Sequence, residues 1–218
     1  MMRILDLSQT IHPDMPCYPG TPQPVFHKLS SIEQDGYAEQ LLTVSSHAGT
    51  HVDLPSHILP EGSSLDAWSL DRFTGKGFAL DLRASVGGII SLGELRGFEA
   101  RLQECDFLLL CSGWSQYWGG PEYFIGYPVL SPDAARWLTG FHLKGIGVDM
   151  ISVDSPDAVD FSVHSLLLRS GILIIENLAD LSPLFHSSFI FSGFPLKIAH
   201  AEAAPLRAVA FVDDANLA

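Results

Sequence analysis

The chain's 218 residues, 47% hydrophobic and 17% charged, have the length of one domain and the composition of a folded protein, not of a disordered tail. Its 25 Asp and Glu outnumber 12 Lys and Arg for a formal charge of −13, which repels phosphate backbones and anionic lipid surfaces and argues against nucleic acid as a partner. No run reaches the ~18 uninterrupted apolar residues of a membrane helix, and Met1-Met2-Arg3-Ile4-Leu5-Asp6-Leu7 lacks a secretory h-region, so a cytoplasmic protein with no membrane contact is expected.

In chain order, residues 3–11 read as a strand that runs into an irregular loop at Pro13, Pro16, Pro19 and Gly20. Residues 24–30 and 36–46 have the β-branched and aromatic content of paired strands. Residues 47–64, with two prolines and several turn formers, read as a long functional loop. Short apolar runs at 78–82, 107–111, 145–149 and 172–176 fit buried strands. Ser91 with Glu94 three residues on is a capping box before a helix over 92–104, and Ser131-Pro132-Asp133 opens a helix to about Leu138. Ser162 to Arg169, stopped by Gly171, is a third helix. Strands at 189–199 and 207–213 close the chain. With no repeat, low-complexity tract or charged linker, residues 1–218 are expected to form one α/β domain with a mixed sheet and flanking helices, its early part antiparallel.

Cys17, Cys105 and Cys111 form no C-x-x-C pair and read as buried or incidental thiols. The chemistry is concentrated in His47-Ala48-Gly49-Thr50-His51-Val52-Asp53-Leu54-Pro55-Ser56-His57, three histidines and an aspartate in eleven residues. Imidazole and carboxylate ligands without cysteine suit a working zinc, manganese or iron site better than a closed structural one. Gly49, Thr50, Val52 and Pro55 disfavour a helix here, so the segment reads as a turn running into an extended stretch in which His51 and Asp53 point the same way. His57 then lies just past the proline, close to such a site. A lone histidine of this kind is usually an exposed loop residue, but three beside Asp53 point to metal.

His164, opening a helix, and Glu176, ending an aliphatic strand, are ordinary when taken singly: a first-turn polar residue and a carboxylate paired with some arginine. They gain weight from a resemblance. The eleven-residue segment, the His164-to-Glu176 interval, Gly145-Ile146-Gly147-Val148-Asp149 with Asp154 beyond, and Phe194-Pro195-Leu196-Lys197-Ile198 followed by Pro205-Leu206-Arg207-Ala208-Val209-Ala210 together resemble the cyclase family that includes bacterial kynurenine formamidases and isatin hydrolases. The resemblance spans nearly the whole chain. It implies a swivelling β/β/α fold, a homo-oligomer (dimer or tetramer), and one or two divalent metal ions per subunit, zinc or else manganese. It further implies that His47, His51 and Asp53 hold one ion, that Asp53 bridges to a second bound by His164, that Glu176 reaches either or both, and that His57 transfers protons. One departure stands out: where the formamidases carry Trp-Pro-Gly-Asp, this chain has Tyr18-Pro19-Gly20-Thr21, so Tyr18 either stacks on a flat small-molecule substrate or simply packs.

The expected reaction is hydrolysis of an amide C–N bond, in an arylformamide or cyclic amide, by metal-activated hydroxide with His57 as general acid and base. Two other readings stand beside it: a hydrolase, cyclase or dehydratase of the same family acting on another cyclic or carbonyl substrate such as an isatin-like lactam, and a metal-binding scaffold without turnover. Ser112 and Ser115 form no G-x-S-x-G elbow and read as turn residues, and Gly145-x-Gly lies within a strand, so it is no dinucleotide fingerprint.

Overall fold

The four apolar runs expected as buried strands lie side by side as neighbours in one sheet. The structure, a computed structural model, describes residues 1–85 and 88–213. In chain order its strands are β1 (Met2–Asp6), β2 (Val25–Ser30), β3 (Glu39–Thr43), β4 (His51–Asp53), β5 (Thr74–Asp81), β6 (Ile89–Ile90), β7 (Phe107–Cys111), β8 (Val129–Leu130), β9 (Gly145–Val148), β10 (Leu173–Glu176), β11 (Phe189–Pro195) and β12 (Ala203–Asp213). Its α-helices are α1 (Ile32–Asp35), α2 (Leu92–Leu95), α3 (Glu99–Leu102), α4 (Pro132–Leu138) and α5 (Ser162–Arg169).

Strands β5, β7, β9 and β10 pair in parallel in that order. Antiparallel strands complete the circuit: β11 joins β5 to β12, and the three residues of β4 pair with both β10 and the start of β12. The result is a closed, barrel-like mixed sheet with a few flanking helices, β1 lying outside the ring on β12. Alternation along β7 shows how the sequence separates the two sides. Leu108 and Leu110 join the core under α4 and α5, while Phe107, Leu109 and Cys111 fill the barrel interior. The Gly145-x-Gly147 pattern follows from the same packing, because a Cβ at either position would meet Phe107 or Leu109 at 2.8 Å or less.

Several expected boundaries move. The helix expected over 92–104 breaks into α2, a 3-10 turn at Arg96–Phe98 and α3, although its capping box forms as read. Gly93 and Gly97, each costing roughly 1 kcal/mol of helix propensity, explain the break. The first strand stops at Asp6, and the following chain turns toward the 47–51 segment, where the Gln9 N–H donates to Thr50 Oγ1 at 2.8 Å. The strand expected over 189–199 ends at Pro195. The 47–64 segment is not all loop, since β4 is a buried rung of the sheet. The hairpin of β2 and β3 forms as expected but stands apart from the ring, leaving Val25, Leu29, Leu41 and Leu42 exposed. Among the described residues no helix is long and apolar enough to cross a membrane.

Gly77 on β5 faces Phe189 on β11, and a Cβ there would fall 2.0 Å from the buried phenyl ring. Gly77→Ala is therefore expected to destabilise the fold by about 1–3 kcal/mol through overpacking. In urea this should appear as a lower midpoint at unchanged slope, and an unmoved midpoint would refute the packing assigned to this pair.

Candidate metal centre

In β4, Val52 points into the barrel core while His51 and Asp53 point to the opposite face, where α5 packs. Register places His51 directly opposite Glu176 on β10, whose neighbour Ile175 likewise turns inward. His164, in the first turn of α5, comes down onto the same spot. The structure thus brings His47, His51, Asp53, His164 and Glu176 together: His47 Nδ1 to Asp53 Oδ1 is 3.0 Å, His51 Nε2 to Asp53 Oδ1 is 3.4 Å, and His51 Nε2 to Glu176 Oε2 is 3.5 Å. His164 Nε2 is 3.7 Å from Asp53 Oδ2 and 3.4 Å from Glu176 Oε1. The arginine partner considered for Glu176 is not what the fold supplies; among the described residues its ion-pair partners are the two histidines.

Groups behind the rings fix which nitrogen faces the carboxylates. The Nδ1–H of His51 donates to the Gly49 carbonyl at 2.9 Å, and that of His164 donates to Asp154 Oδ2 at 2.7 Å. Asp154 also accepts the backbone N–H groups of Val163 and His164, so one carboxylate both caps α5 and orients its histidine. Each ring is left with Nε2 turned toward Asp53 and Glu176. His51 Nε2, both oxygens of Asp53 and Oε1 of Glu176 are buried without a hydrogen-bond partner. Buried carboxylates that face nitrogen lone pairs cost several kcal/mol each unless a positive charge lies between them. This donor set fits a divalent cation. The ligand-capable atoms fall into two groups, His47, Asp53 and His57, and His51, Asp53 and Glu176, each with its atoms within 4.8 Å of one another. Asp53 is common to both, the position a bridging carboxylate needs.

In the metal-free chain a proton has to serve in the cation's place. Burial pulls the His51 imidazole down, but the Asp53 charge and contacts with Asp53 and Glu176 outweigh it and raise its pKa to about 10. His164 is likewise pulled down by burial and carried well above its ordinary value by Asp154, Asp53 and Glu176. Burial raises the carboxyls of Asp53 and Glu176, yet the histidines hold both below their ordinary values. His57 differs: burial lowers its pKa, Asp53 only partly offsets this, and its ring lies 4.4 Å from that of His47 and 5.9 Å from that of His164.

Tyr18 lines the same cavity, of about 170 Å³, with Pro16, Thr21, Ile151, Ser152, Phe161 and the histidines. A larger open groove of about 1070 Å³ lies elsewhere, beside Lys76, Arg101 and Phe211, and holds none of these groups. Sequence reasoning missed two supports of the centre. Asn177 donates from Nδ2 to the Gly49 carbonyl at 2.9 Å and accepts from the Tyr123 hydroxyl at 2.8 Å, bracing the carbonyl that orients His51. Its backbone is left-handed, φ 58°, a conformation asparagine tolerates best after glycine, so an Asn closing an apolar strand was a readable signal. Glu202 accepts from the Ser46 hydroxyl at 2.6 Å and sits 3.5 Å from His47 Nε2. Nothing local in Ala-His-Ala-Glu-Ala-Ala marks it. Ser112 is the turn residue expected: its backbone N–H and hydroxyl, with the Gly113 N–H, donate to buried Asp149.

The Cyclase family model matches residues 5–155, more than half of the chain, and the protein belongs to that family. A kynurenine formamidase of Salinibacter ruber is 30% identical over 212 residues, covering 95% of this chain and 97% of that protein. Among solved structures, an isatin hydrolase bound to the product analogue thioisatinate has the same fold, with a TM-score of 0.88, 24% identity, and coverage of 98% of this chain and 93% of that one. A predicted metal-dependent hydrolase from Bacillus stearothermophilus superposes with a TM-score of 0.81 at 26% identity, covering 97% and 98% of the two chains.

Because the carboxylates raise the proton affinity of the His51 and His164 nitrogens that face them, a cation taken up here would have to displace protons. Zinc binding at pH 7 should release about two protons, and the apparent affinity should climb as pH rises. Calorimetry in buffers of different ionisation enthalpy measures this; uptake without proton release would show that these two rings do not bind the ion.

Proposed function

We propose that the chain is a divalent-metal-dependent hydrolase of amide C–N bonds, with zinc as its metal and manganese as the alternative. The observation that carries this is the set of buried atoms on His51, Asp53 and Glu176 that lack any hydrogen-bond partner and face one another and His164. The kynurenine formamidase and isatin hydrolase relatives support the reaction class. His47, His51, Asp53, His164 and Glu176 would hold the metal. A divalent cation held there would supply Lewis acidity toward a carbonyl oxygen and bring the pKa of water down to near neutrality.

The chain's own contribution is the proton path. His57 is neutral at pH 7, since burial lowers its pKa, and among the described residues no protein group hydrogen-bonds its ring. It accepts the proton that water loses as the water oxygen bonds to the carbonyl carbon. It then returns that proton to the amide nitrogen as the C–N bond breaks, yielding a carboxylic acid and an amine. Asp154, Gly49 and Asn177 act earlier, holding the imidazoles of His164 and His51 in one orientation so that the site need not reorganise during reaction. A metal scaffold without turnover has no use for a free imidazole at this place.

Replacing His57 separates the roles. His57→Gln is expected to lower kcat by about 10²–10⁴-fold on an arylformamide while metal content by mass spectrometry stays the same. Loss of metal would make His57 a ligand, and unchanged kcat would remove it from the mechanism. The exposed aliphatic residues of the β2–β3 hairpin, standing clear of the ring, support assembly with further copies of the chain. Light scattering should then give at least twice the chain's 23.7 kDa, and a monomer at micromolar concentration would refute it.

A further inference from the structure

We infer that the substrate is a compact, flat amide bearing no carboxylate; this rests on the amide-hydrolase reading and narrows it. The cavity holds about 170 Å³, below the ~300–1,000 Å³ of common ligand pockets, so little beyond one ring or a fused pair fits beside the scissile bond. Apart from the candidate metal ligands, His57 and Asn177, its walls are Pro16, Tyr18, Thr21, Ile151, Ser152 and Phe161. None of these is a lysine or arginine, and their polar groups are hydroxyls. Away from the metal centre, a carboxylate lying against these walls would leave water with no lysine or arginine to receive it.

Charge outside the cavity acts in the same direction. Glu202, partly exposed, stands 3.5 Å from His47, and Asp157 and Asp160 are exposed on the segment that leads into Phe161. On a chain of formal charge −13 these groups lower the local concentration of anions. The wall itself selects flat molecules. Phe161 has a left-handed backbone, φ 45°, which a phenylalanine adopts rarely and which is typical of positions held for function. In that conformation it opens α5 and sets its ring perpendicular to that of His164, with centroids 6.0 Å apart and planes at 88°. Tyr18 supplies a second aromatic group to the same cavity. A kynurenine side chain, with its amino-acid carboxylate, does not suit this lining; a neutral aryl or cyclic amide does.

Matched pairs test this on the zinc-loaded, full-length protein: formanilide against 4-formamidobenzoate, and isatin against isatin-5-carboxylate. The neutral member of each pair is expected to exceed its carboxylated partner in kcat/KM by on the order of 100-fold, and Thr21→Lys, which places a cation on the wall, should narrow that ratio by about tenfold or more. Equal or better turnover of the carboxylated members, or a ratio that Thr21→Lys leaves unchanged, would overturn the inference while leaving amide hydrolysis standing. Hydrolysis of none of the four would overturn both.

Discussion

Asp53 and Glu176, two buried carboxylates with no lysine or arginine beside them among the described residues, set the terms for everything around them. Their burial is tolerable only if positive charge sits between them, as protons on His51 and His164 or as a metal ion. The hydrogen bonds behind those rings, to Gly49 and Asp154, turn the other ring nitrogens inward, toward the carboxylates, where a metal ion would meet them. Asn177 and the Tyr123 hydroxyl extend that scaffold into the core.

The same groups sit where the sheet closes. Strand β4 has only three residues, yet it joins β10 on one side to β12 on the other, and two of the three are His51 and Asp53. Segments far apart in the chain, around residues 52, 175 and 204, must meet there, and the entropy of bringing them together works against so short a rung. A cation bound by β4, β10 and α5 at once favours the closed sheet over every state in which these elements are apart. If the candidate centre takes up such an ion, binding and closure would be one equilibrium, with β4 the rung it holds.

How much of this was legible in the sequence follows from where each signal lies. Strands β5, β7, β9 and β10 could be read because burial on both faces leaves continuous apolar runs, and α4 and α5 because Ser131-Pro132 and Gly171 mark their ends. The 92–104 helix is shorter than its sequence suggests because the capping box reports only a first turn, whereas Gly97 acts further along, in the 3-10 turn. At the site, the spacing of His47, His51, Asp53 and His57 stood out by density alone. His164 and Glu176 did not, and needed the resemblance to join them. Glu202 was out of reach, since its meeting with His47 and Ser46 is created by the β4–β12 pairing, which no local pattern encodes.

The structure divides labour between rigid and irregular segments. The clustered histidines and carboxylates come from two strands, a helix and the turn leading into β4, held by backbone pairing and by buried hydrogen bonds. The wall comes instead from the 16–21 loop and the segment ending at Phe161, neither of which belongs to the closed sheet. Changes in the wall cost the core little, because they break no rung of the sheet and unpair no buried charge. Tyr18 and Thr21 lie in such a segment, so a change at either would alter the cavity lining without touching the arrangement of His51, Asp53, His164 and Glu176. On such a fold, likeness of the clustered histidines and carboxylates informs on reaction class, and substrate identity has to be argued from the wall.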